Sequence, residues 1–162
     1  MSIKTKIYLD TSVISHLAAE DVPDKKMDTL KLWEQLKQGE NEIIISSITT
    51  GEIDRCAADL RRKLLMFVAE LETTNIDETE EMRTLAEQYL KYGVLTQKSL
   101  DDCRHIAAAS VMGCKYILSW NFKHFVNVRT IERVQGVNRL VGYGDVNIIP
   151  PPMFLKGDAE NE

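Results

Sequence analysis

Short apolar runs alternate with longer amphipathic stretches along this chain of 162 residues, and this alternation restricts the possible folds more than any other feature. The runs have the length of buried strands, and the stretches between them carry apolar residues at helical spacing. Strands that alternate with helices predict a parallel sheet covered on both faces, so we expect an α/β fold of three layers, α/β/α, with a central parallel sheet. The predicted strands are residues 6–10, 43–47, 116–119 and 146–149, with a further short strand near 75–76.

Local signals predict the helices between these strands. A polar segment with a proline, residues 21–28, predicts a loop before an amphipathic helix that stops at Gly39. The pair Thr49-x-x-Glu52 has the form of a capping box and predicts a helix near 50–58. The remaining helices are predicted at 60–72, from Asp77-Glu78-Thr79 to Gly93, from Ser99 to Met112, and at 128–136.

Length, composition and charge indicate which general classes of protein this chain can belong to. We expect one domain, residues 1–155, followed by an acidic tail at 156–162 that we expect to be disordered. The net charge of -5 weighs against a general nucleic-acid binder but allows an enzyme whose acids gather in one site. No apolar run approaches the ~20 residues that span a bilayer, and no signal peptide is evident, so we expect a cytoplasmic protein without membrane contact. The three cysteines predict neither a disulfide framework nor a zinc site.

Three acidic residues stand at comparable places along the predicted fold. Asp10 ends the first strand, Glu52 follows the second strand where a helix begins, and Asp102 lies at the start of a later helix. The carboxyl ends of parallel strands share one edge of a sheet, beside the following helix N-termini. Acids at these places can converge, and converging carboxylates hold hard cations such as Mg²⁺ or Mn²⁺.

Each of these acids also has an ordinary structural interpretation as a helix cap. Asp10 could cap the helix that follows it, and the cap and ligand interpretations of this residue are balanced. Glu52 is the acid of the predicted capping box, and Ser99-x-x-Asp102 has the same form, so a cap is favoured for each taken singly. The two interpretations coexist, because a capping acid at a helix start can also face the edge of the sheet.

Five segments in the same order resemble the PIN domain, the fold of VapC-type toxin ribonucleases and of several RNA-processing nucleases. Tyr8-Leu9-Asp10-Thr11-Ser12-Val13 resembles the opening strand with the first metal-binding Asp, and residues 46–53 resemble the second strand with its helix-borne Glu. Asp102-Cys103-Arg104-His105-Ile106-Ala107 resembles the D-x-x-H-x-A helix of the family. Residues 116–125 resemble the late strand and its loop, and residues 147–151 the closing strand, so the resemblance covers about 5–155.

This resemblance implies a catalytic site of Asp10, Glu52, Asp102 and a fourth polar residue, with the three acids holding Mg²⁺ or Mn²⁺. The ligand lies three residues before His105, which selects Asp102 over the neighbouring Asp101. His105 itself is expected to be a packed helix residue.

The fourth polar position is Asn121, where many members of the family have Asp. An amide can ligate a metal through its oxygen or orient a water molecule, but it brings no charge. Thr11 and Ser119 are expected to hydrogen-bond a metal-bound water from the outer shell of the site. The candidates for contact with RNA phosphates are Arg104, Lys123 and His124.

The resemblance implies an Mg²⁺- or Mn²⁺-dependent endoribonuclease that hydrolyses RNA phosphodiester bonds, with the toxin of a VapBC-like toxin–antitoxin pair as the favoured role. The implied partners are RNA, a small cognate antitoxin and a second copy in a homodimer. A housekeeping RNA-processing nuclease of the same fold is one alternative. A PIN-like binding module with little catalysis is another, and both Asn121 and the net charge favour it.

Overall fold

The computed structural model describes residues 3–156, so residues 157–162 of the predicted acidic tail lie outside the described residues. A five-stranded sheet forms the centre, in the order β3-β2-β1-β4-β5, and each pair of neighbouring strands is parallel. The predicted α/β fold with a central parallel sheet is confirmed. The strands are β1 (Lys6–Leu9), β2 (Glu42–Ser46), β3 (Thr73–Ile76), β4 (Tyr116–Leu118) and β5 (Asn147–Ile149).

Helices cover both faces of this sheet. The central strands carry apolar side chains on both faces, and these side chains must be shielded from water. In β1, Ile7 and Leu9 face one helical layer, and Tyr8, between them, faces the other. The helices are α1 (Thr11–His16), α2 (Pro23–Leu36), α3 (Ser47–Asp54), α4 (Ala58–Ala69), α5 (Glu80–Lys91), α6 (Leu100–Val111), α7 (Val128–Val141) and α8 (Pro151–Phe154).

The two layers have separate cores. Side chains of α1, α2 and α4 pack with Ile7 and Leu9, and this core includes Trp33, which is 1% exposed. Side chains of α5, α6 and α7 pack with Tyr8 and Ile117 on the opposite face. Both helical layers pack on the same sheet. The helices of both layers that begin at the carboxyl edge of the strands are therefore positioned by this packing.

Two predicted helix starts are wrong. The segment 21–28 is not a loop throughout, because α2 already begins at Pro23, a residue that suits the first helical position where no N–H partner is needed. The predicted capping box does not form either: α3 begins at Ser47, directly after β2, so Glu52 lies inside the helix rather than in its first turn. The last long helix, predicted at 128–136, continues to Val141 and ends at Gly142 with a φ of 95°.

Within residues 3–156, no helix combines the length and the apolar character that crossing a bilayer requires.

Candidate active site

The candidate site lies where the order of the sheet reverses. From central β1 the chain moves outward to β2 and β3, then returns to the other side of β1 with β4 and β5. Ligands of open α/β sheets bind beyond the carboxyl ends of the strands at such a switch point. Asp10 directly follows β1 and Ser119 directly follows β4, and Ser119 Oγ donates a hydrogen bond to Asp10 Oδ2 at 2.9 Å.

An open pocket of about 440 Å³ occupies this edge of the sheet and is rich in carboxylates. It brings together Asp10, Glu52 and Asp102, which belong to different elements and lie far apart in sequence. Thr11 and Asn121, two other predicted site residues, also line it. The rest of the lining consists of Ser12, Ser15, Lys98, Ser99, Asp101 and His105.

Asp10 is 5% exposed, and its side chain lines the pocket instead of capping the helix that follows it. It occupies the N-cap position of α1, but its side chain makes no capping hydrogen bond. Instead, Oδ2 accepts hydrogen bonds from Ser12 Oγ at 2.6 Å and from Ser119 Oγ at 2.9 Å. These two hydroxyl donors satisfy one oxygen of a buried carboxylate, as buried polar groups require.

Glu52 is held by a buried chain of hydrogen bonds. Its Oε1 accepts from His105 Nε2 at 2.7 Å, and His105 is 1% exposed. The other ring nitrogen, Nδ1, lies 2.6 Å from the hydroxyl of Tyr8, which lies 2.6 Å from Ser46 Oγ. His105 is therefore packed, as expected, but it also contacts the site, a role that the sequence pattern did not indicate.

Glu52 and His105 shift each other's pKa. Burial disfavours the ionised form of Glu52, but the hydrogen bond and charge of His105 outweigh burial and lower the pKa of this carboxyl. Burial disfavours the imidazolium of His105, but the Glu52 hydrogen bond and the nearby Asp10 carboxylate raise its pKa overall. His105 Nε2 lies 3.8 Å from Asp10 Oδ1, so the imidazole sits between two acids of the pocket.

Asp102 lies in the first turn of α6 and is engaged by His124. Its Oδ2 accepts a hydrogen bond from His124 Nδ1 at 2.8 Å, while Ser99 Oγ, the residue predicted to cap this helix, lies 3.2 Å from the same nitrogen. Burial and the charge of Asp10 raise the pKa of Asp102, although His124 opposes the shift. The neighbouring Asp101 also lines the pocket, but its Oδ1 accepts a hydrogen bond from Arg104 Nη1 at 2.8 Å.

Two uncharged predicted residues complete the pocket. Asn121 Oδ1 accepts from the backbone N–H of His124 at 3.1 Å, and its own backbone N–H donates to Ser119 Oγ at 3.0 Å. Thr11 Oγ1 is buried and has no hydrogen-bond partner among the described residues. It lies near enough to Glu52 to contribute to the lowered pKa of that acid, without the geometry of a hydrogen bond.

The three predicted phosphate contacts lie in different places. Arg104 is not among the residues that line the pocket, because its guanidinium binds both carboxylate oxygens of Glu78 at 2.8 Å as well as Asp101. His124 is adjacent to the pocket through Asp102, and Lys123 lines a neighbouring groove. Lys98 brings a cation to the pocket itself; no motif marked this residue, which lies in a short 3₁₀ turn before α6.

The donor chemistry of the pocket fits a hydrated divalent cation. Among the hydrogen bonds of residues 3–156, Asp10, Glu52 and Asp102 each use one carboxylate oxygen, which leaves the other oxygen of each acid for a ligand. Within the same residues, no group of three or more His, Cys, Asp or Glu side chains has the arrangement of a ready-made metal site. Mg²⁺ keeps several waters and needs only one or two carboxylates, so the two observations are compatible.

Comparisons with known proteins agree with this architecture. The family model described as PIN domain matches residues 7–128, well over half of the chain. VapC20 from Mycobacterium tuberculosis, a sarcin–ricin loop cleaving toxin, is similar in structure with a TM-score of 0.56 and 14% identity, over 86% of this chain and 98% of that chain. VapBC2 from Rickettsia felis, bound to a DNA fragment from their promoter, is similar with a TM-score of 0.54 and 17% identity, over 90% of this chain and 98% of that chain. Among curated proteins, no significant match is found.

Proposed function

Because the chain belongs to the PIN domain family, we propose that it is a metal-dependent endoribonuclease that hydrolyses RNA phosphodiester bonds. The observation that carries this proposal is the meeting of Asp10, Glu52 and Asp102 in one pocket at the switch point of the sheet. The fold shared with VapC toxins makes the toxin of a VapBC-like pair the favoured role.

Hydrolysis of a phosphodiester requires an activated water molecule and stabilisation of the negative charge that builds up on the phosphoryl oxygens. A bound Mg²⁺ or Mn²⁺ supplies both, as a Lewis acid that lowers the pKa of bound water and neutralises charge. Asp10 and Asp102 would hold this ion, directly or through water, with the carboxylate oxygens that have no hydrogen bond within residues 3–156.

Glu52 would position the attacking water. Its lowered pKa keeps the carboxylate ionised near neutral pH, so it can accept a hydrogen bond from a water molecule. His105 and Tyr8 fix its orientation from the buried side. The unpartnered hydroxyl of Thr11 and the amide of Asn121 would orient water within the pocket, and Ser119 holds Asp10.

Two lysines and a histidine near the pocket would position the RNA. Lys98 lines the pocket, and Lys123 and His124 lie beside it. Contacts of this kind bind phosphates without reading sequence.

The proposed role brings further partners. The Rickettsia felis neighbour is VapBC2, and for this chain we expect a small antitoxin that covers the acidic pocket. We also expect a homodimer, and a site of action in the cytoplasm, where RNA substrates are found.

Two observations favour a second candidate function. Asn121 lines the pocket but brings no charge, and the net charge is -5, so a PIN-like module that binds RNA or protein with little catalysis is the alternative. A housekeeping RNA-processing nuclease would use the same site as the toxin and differ only in its target.

Cleavage of a pool of single-stranded and structured RNA, with Mg²⁺ or Mn²⁺, tests the proposal. We expect wild type to cleave, EDTA to stop cleavage, and Asp10→Asn to lower the rate more than roughly a hundredfold, because the ion loses one of its ligands. Asp59→Asn is the matched control, since Asp59 is almost fully exposed on α4 and should leave the rate unchanged.

Equal cleavage by wild type and Asp10→Asn would contradict the proposed site. Absence of cleavage by folded wild-type protein that still binds the ion would leave two options: a highly selective toxin whose RNA target is missing from the pool, or the binding module.

A further inference from the structure

A second concave surface adjoins the acidic pocket and has the opposite charge. This basic groove, of about 530 Å³, is formed by the 93–99 segment, the loop after β4 and the first turns of α7. The groove residues that matter for its chemistry are Thr96, Phe122, Lys123, His124, Arg129 and Arg133.

The groove is positive in a chain whose net charge is -5. Lys123 and Arg129 are exposed and form no ion pair within residues 3–156. Arg133 Nη1 donates to the carbonyl oxygen of Gly93 at 2.8 Å, which holds this guanidinium against the groove wall. No Asp or Glu of the described residues lines the groove. Concentrated positive charge of this kind attracts a polyanion.

The groove is continuous with the acidic pocket. Ser99 lines both. Lys98, inside the short 3₁₀ turn, lines the pocket, and Thr96, directly before this turn, lines the groove. His124 lines the groove while its Nδ1 binds Asp102 Oδ2. A chain that lies in the groove therefore enters the pocket beside Asp102.

Phe122 offers this groove an aromatic surface. Phe122 is 46% exposed, although phenylalanine is usually buried. The ring packs edge-to-face with Trp120 at 6.1 Å between centroids, and Lys25 Nζ lies 5.2 Å from its centroid, so its position is held from the protein side. Exposed aromatic rings beside cationic grooves bind unstacked bases.

We propose that the basic groove holds single-stranded RNA next to the bond that is cut, with Lys123 and Arg129 on phosphates and Phe122 stacked on a base. This inference rests on the proposed function and names its substrate class as single-stranded rather than duplex RNA. Bases of a duplex stay stacked on each other and cannot reach an aromatic side chain, whereas those of a single strand can. RNA is favoured over an acidic protein segment because the groove leads into the pocket and carries the exposed ring.

The test measures binding without cleavage. A fluorescent single-stranded oligoribonucleotide of mixed sequence is titrated with the protein in EDTA, at several salt concentrations, by fluorescence anisotropy. The double variant Lys123→Gln/Arg129→Gln should bind roughly tenfold more weakly, and the slope of log K against log salt should fall by about 1.4, which is ~0.7 for each phosphate that the variant no longer neutralises. Phe122→Leu should lower affinity for the single strand roughly tenfold and leave duplex RNA binding within about twofold.

The matched control is Arg62→Gln/Lys63→Gln, which removes the same charge from exposed positions of α4, in the opposite helical layer. It should leave the salt slope unchanged. Equal binding by the groove and control variants would overturn the inference, as would wild-type protein that binds no oligoribonucleotide.

Binding of poly-glutamate in place of RNA, with the same dependence on Lys123 and Arg129, would also overturn the inference and assign the groove to an acidic protein partner. The proposed function is judged separately by cleavage. If the groove variants lose binding while Asp10→Asn and wild type cleave alike, the groove inference holds and the catalytic proposal is refuted. If the groove variants bind like wild type while Asp10→Asn loses cleavage, the catalytic proposal holds and the groove inference is refuted.

Discussion

At the residue scale, the proton positions around His105 follow from its partners. The Glu52 carboxylate can only accept, so His105 Nε2 carries the proton of that hydrogen bond. Nδ1 then shares the second bond with the hydroxyl of Tyr8, which also contacts Ser46. Tyr8 is fully buried, and burial raises its pKa well above its ordinary value, so it stays a neutral hydroxyl. The carboxylate is thereby oriented by groups that solvent does not reach.

Removal of the Tyr8 hydroxyl tests this chain of bonds. Tyr8→Phe leaves both His105 Nδ1 and Ser46 Oγ without that partner in a buried site, so we expect the free energy of unfolding to fall by about 1–3 kcal/mol. Tyr116→Phe is the control, because the Tyr116 hydroxyl makes no side-chain hydrogen bond within residues 3–156 and the change should stay within about 0.5 kcal/mol. Urea denaturation measures both, and equal stability of the two variants would refute the argument.

At the element scale, α7 matters because it carries Arg129 and Arg133 of the basic groove. A buried polar network fastens it to the neighbouring helices. The Tyr89 hydroxyl of α5 donates to Asn138 Oδ1 at 2.5 Å, and Asn138 Nδ2 donates to Ser110 Oγ of α6 at 3.0 Å. Asn138 is fully buried, so this network sets how α7 lies against the core and thereby where its cations point.

Two glycines of α7 provide a matched pair of substitutions. Gly136 lies inside the helix with open space around an added Cβ, so Gly136→Ala should raise the free energy of unfolding by about 0.5–1 kcal/mol. Gly142 ends the helix at a φ of 95°, a conformation that L side chains disfavour, so Gly142→Ala should lower it by about 1 kcal/mol. Urea denaturation gives both values, and changes of the same sign would contradict the assignment of the helix end.

At the scale of the whole molecule, the sheet topology decides where charge collects. The reversal of strand order opens one crevice, and four carboxylates, those of Asp10, Glu52, Asp101 and Asp102, line the pocket there. The charge of Asp10 contributes to the raised pKa of Asp102, which shows that the acids repel each other. A divalent cation would relieve this repulsion, so its binding should stabilise the fold.

Thermal unfolding with and without the ion measures this stabilisation. At a Mg²⁺ concentration about ten times the dissociation constant, a ligand that binds only the folded state contributes ~1.4 kcal/mol, which raises Tm by about 4 °C for a domain of this size. Asp10→Asn and Asp102→Asn should abolish the shift, and Asp59→Asn should retain it. A shift of the same size in all four proteins, or with NaCl at matched ionic strength, would show that Mg²⁺ acts elsewhere.

The apolar pattern predicted each of the five strands to within two residues, because the alternation of buried faces is local to each segment. Helix starts were harder to predict. The helix α3 begins at Ser47 because β2 ends at Ser46, and α2 begins at Pro23, inside a polar segment whose proline predicted a loop. One pocket is lined by five of the predicted site residues, namely Asp10, Thr11, Glu52, Asp102 and Asn121. Arg104, predicted to contact phosphates, instead donates hydrogen bonds to Glu78.

The sequence by itself determined the class of fold and the edge of the sheet at which the acids stand. Both follow from the period of the apolar residues within each segment and from the alternation of strands with helices along the chain, which implies a parallel sheet. Only the tertiary structure decided the partners of those acids, His105 for Glu52 and His124 for Asp102, and the joining of Lys123 with Arg129 in one groove. Hydrogen bonds act over about 3 Å, so such contacts depend on how distant helices rotate and pack against the sheet.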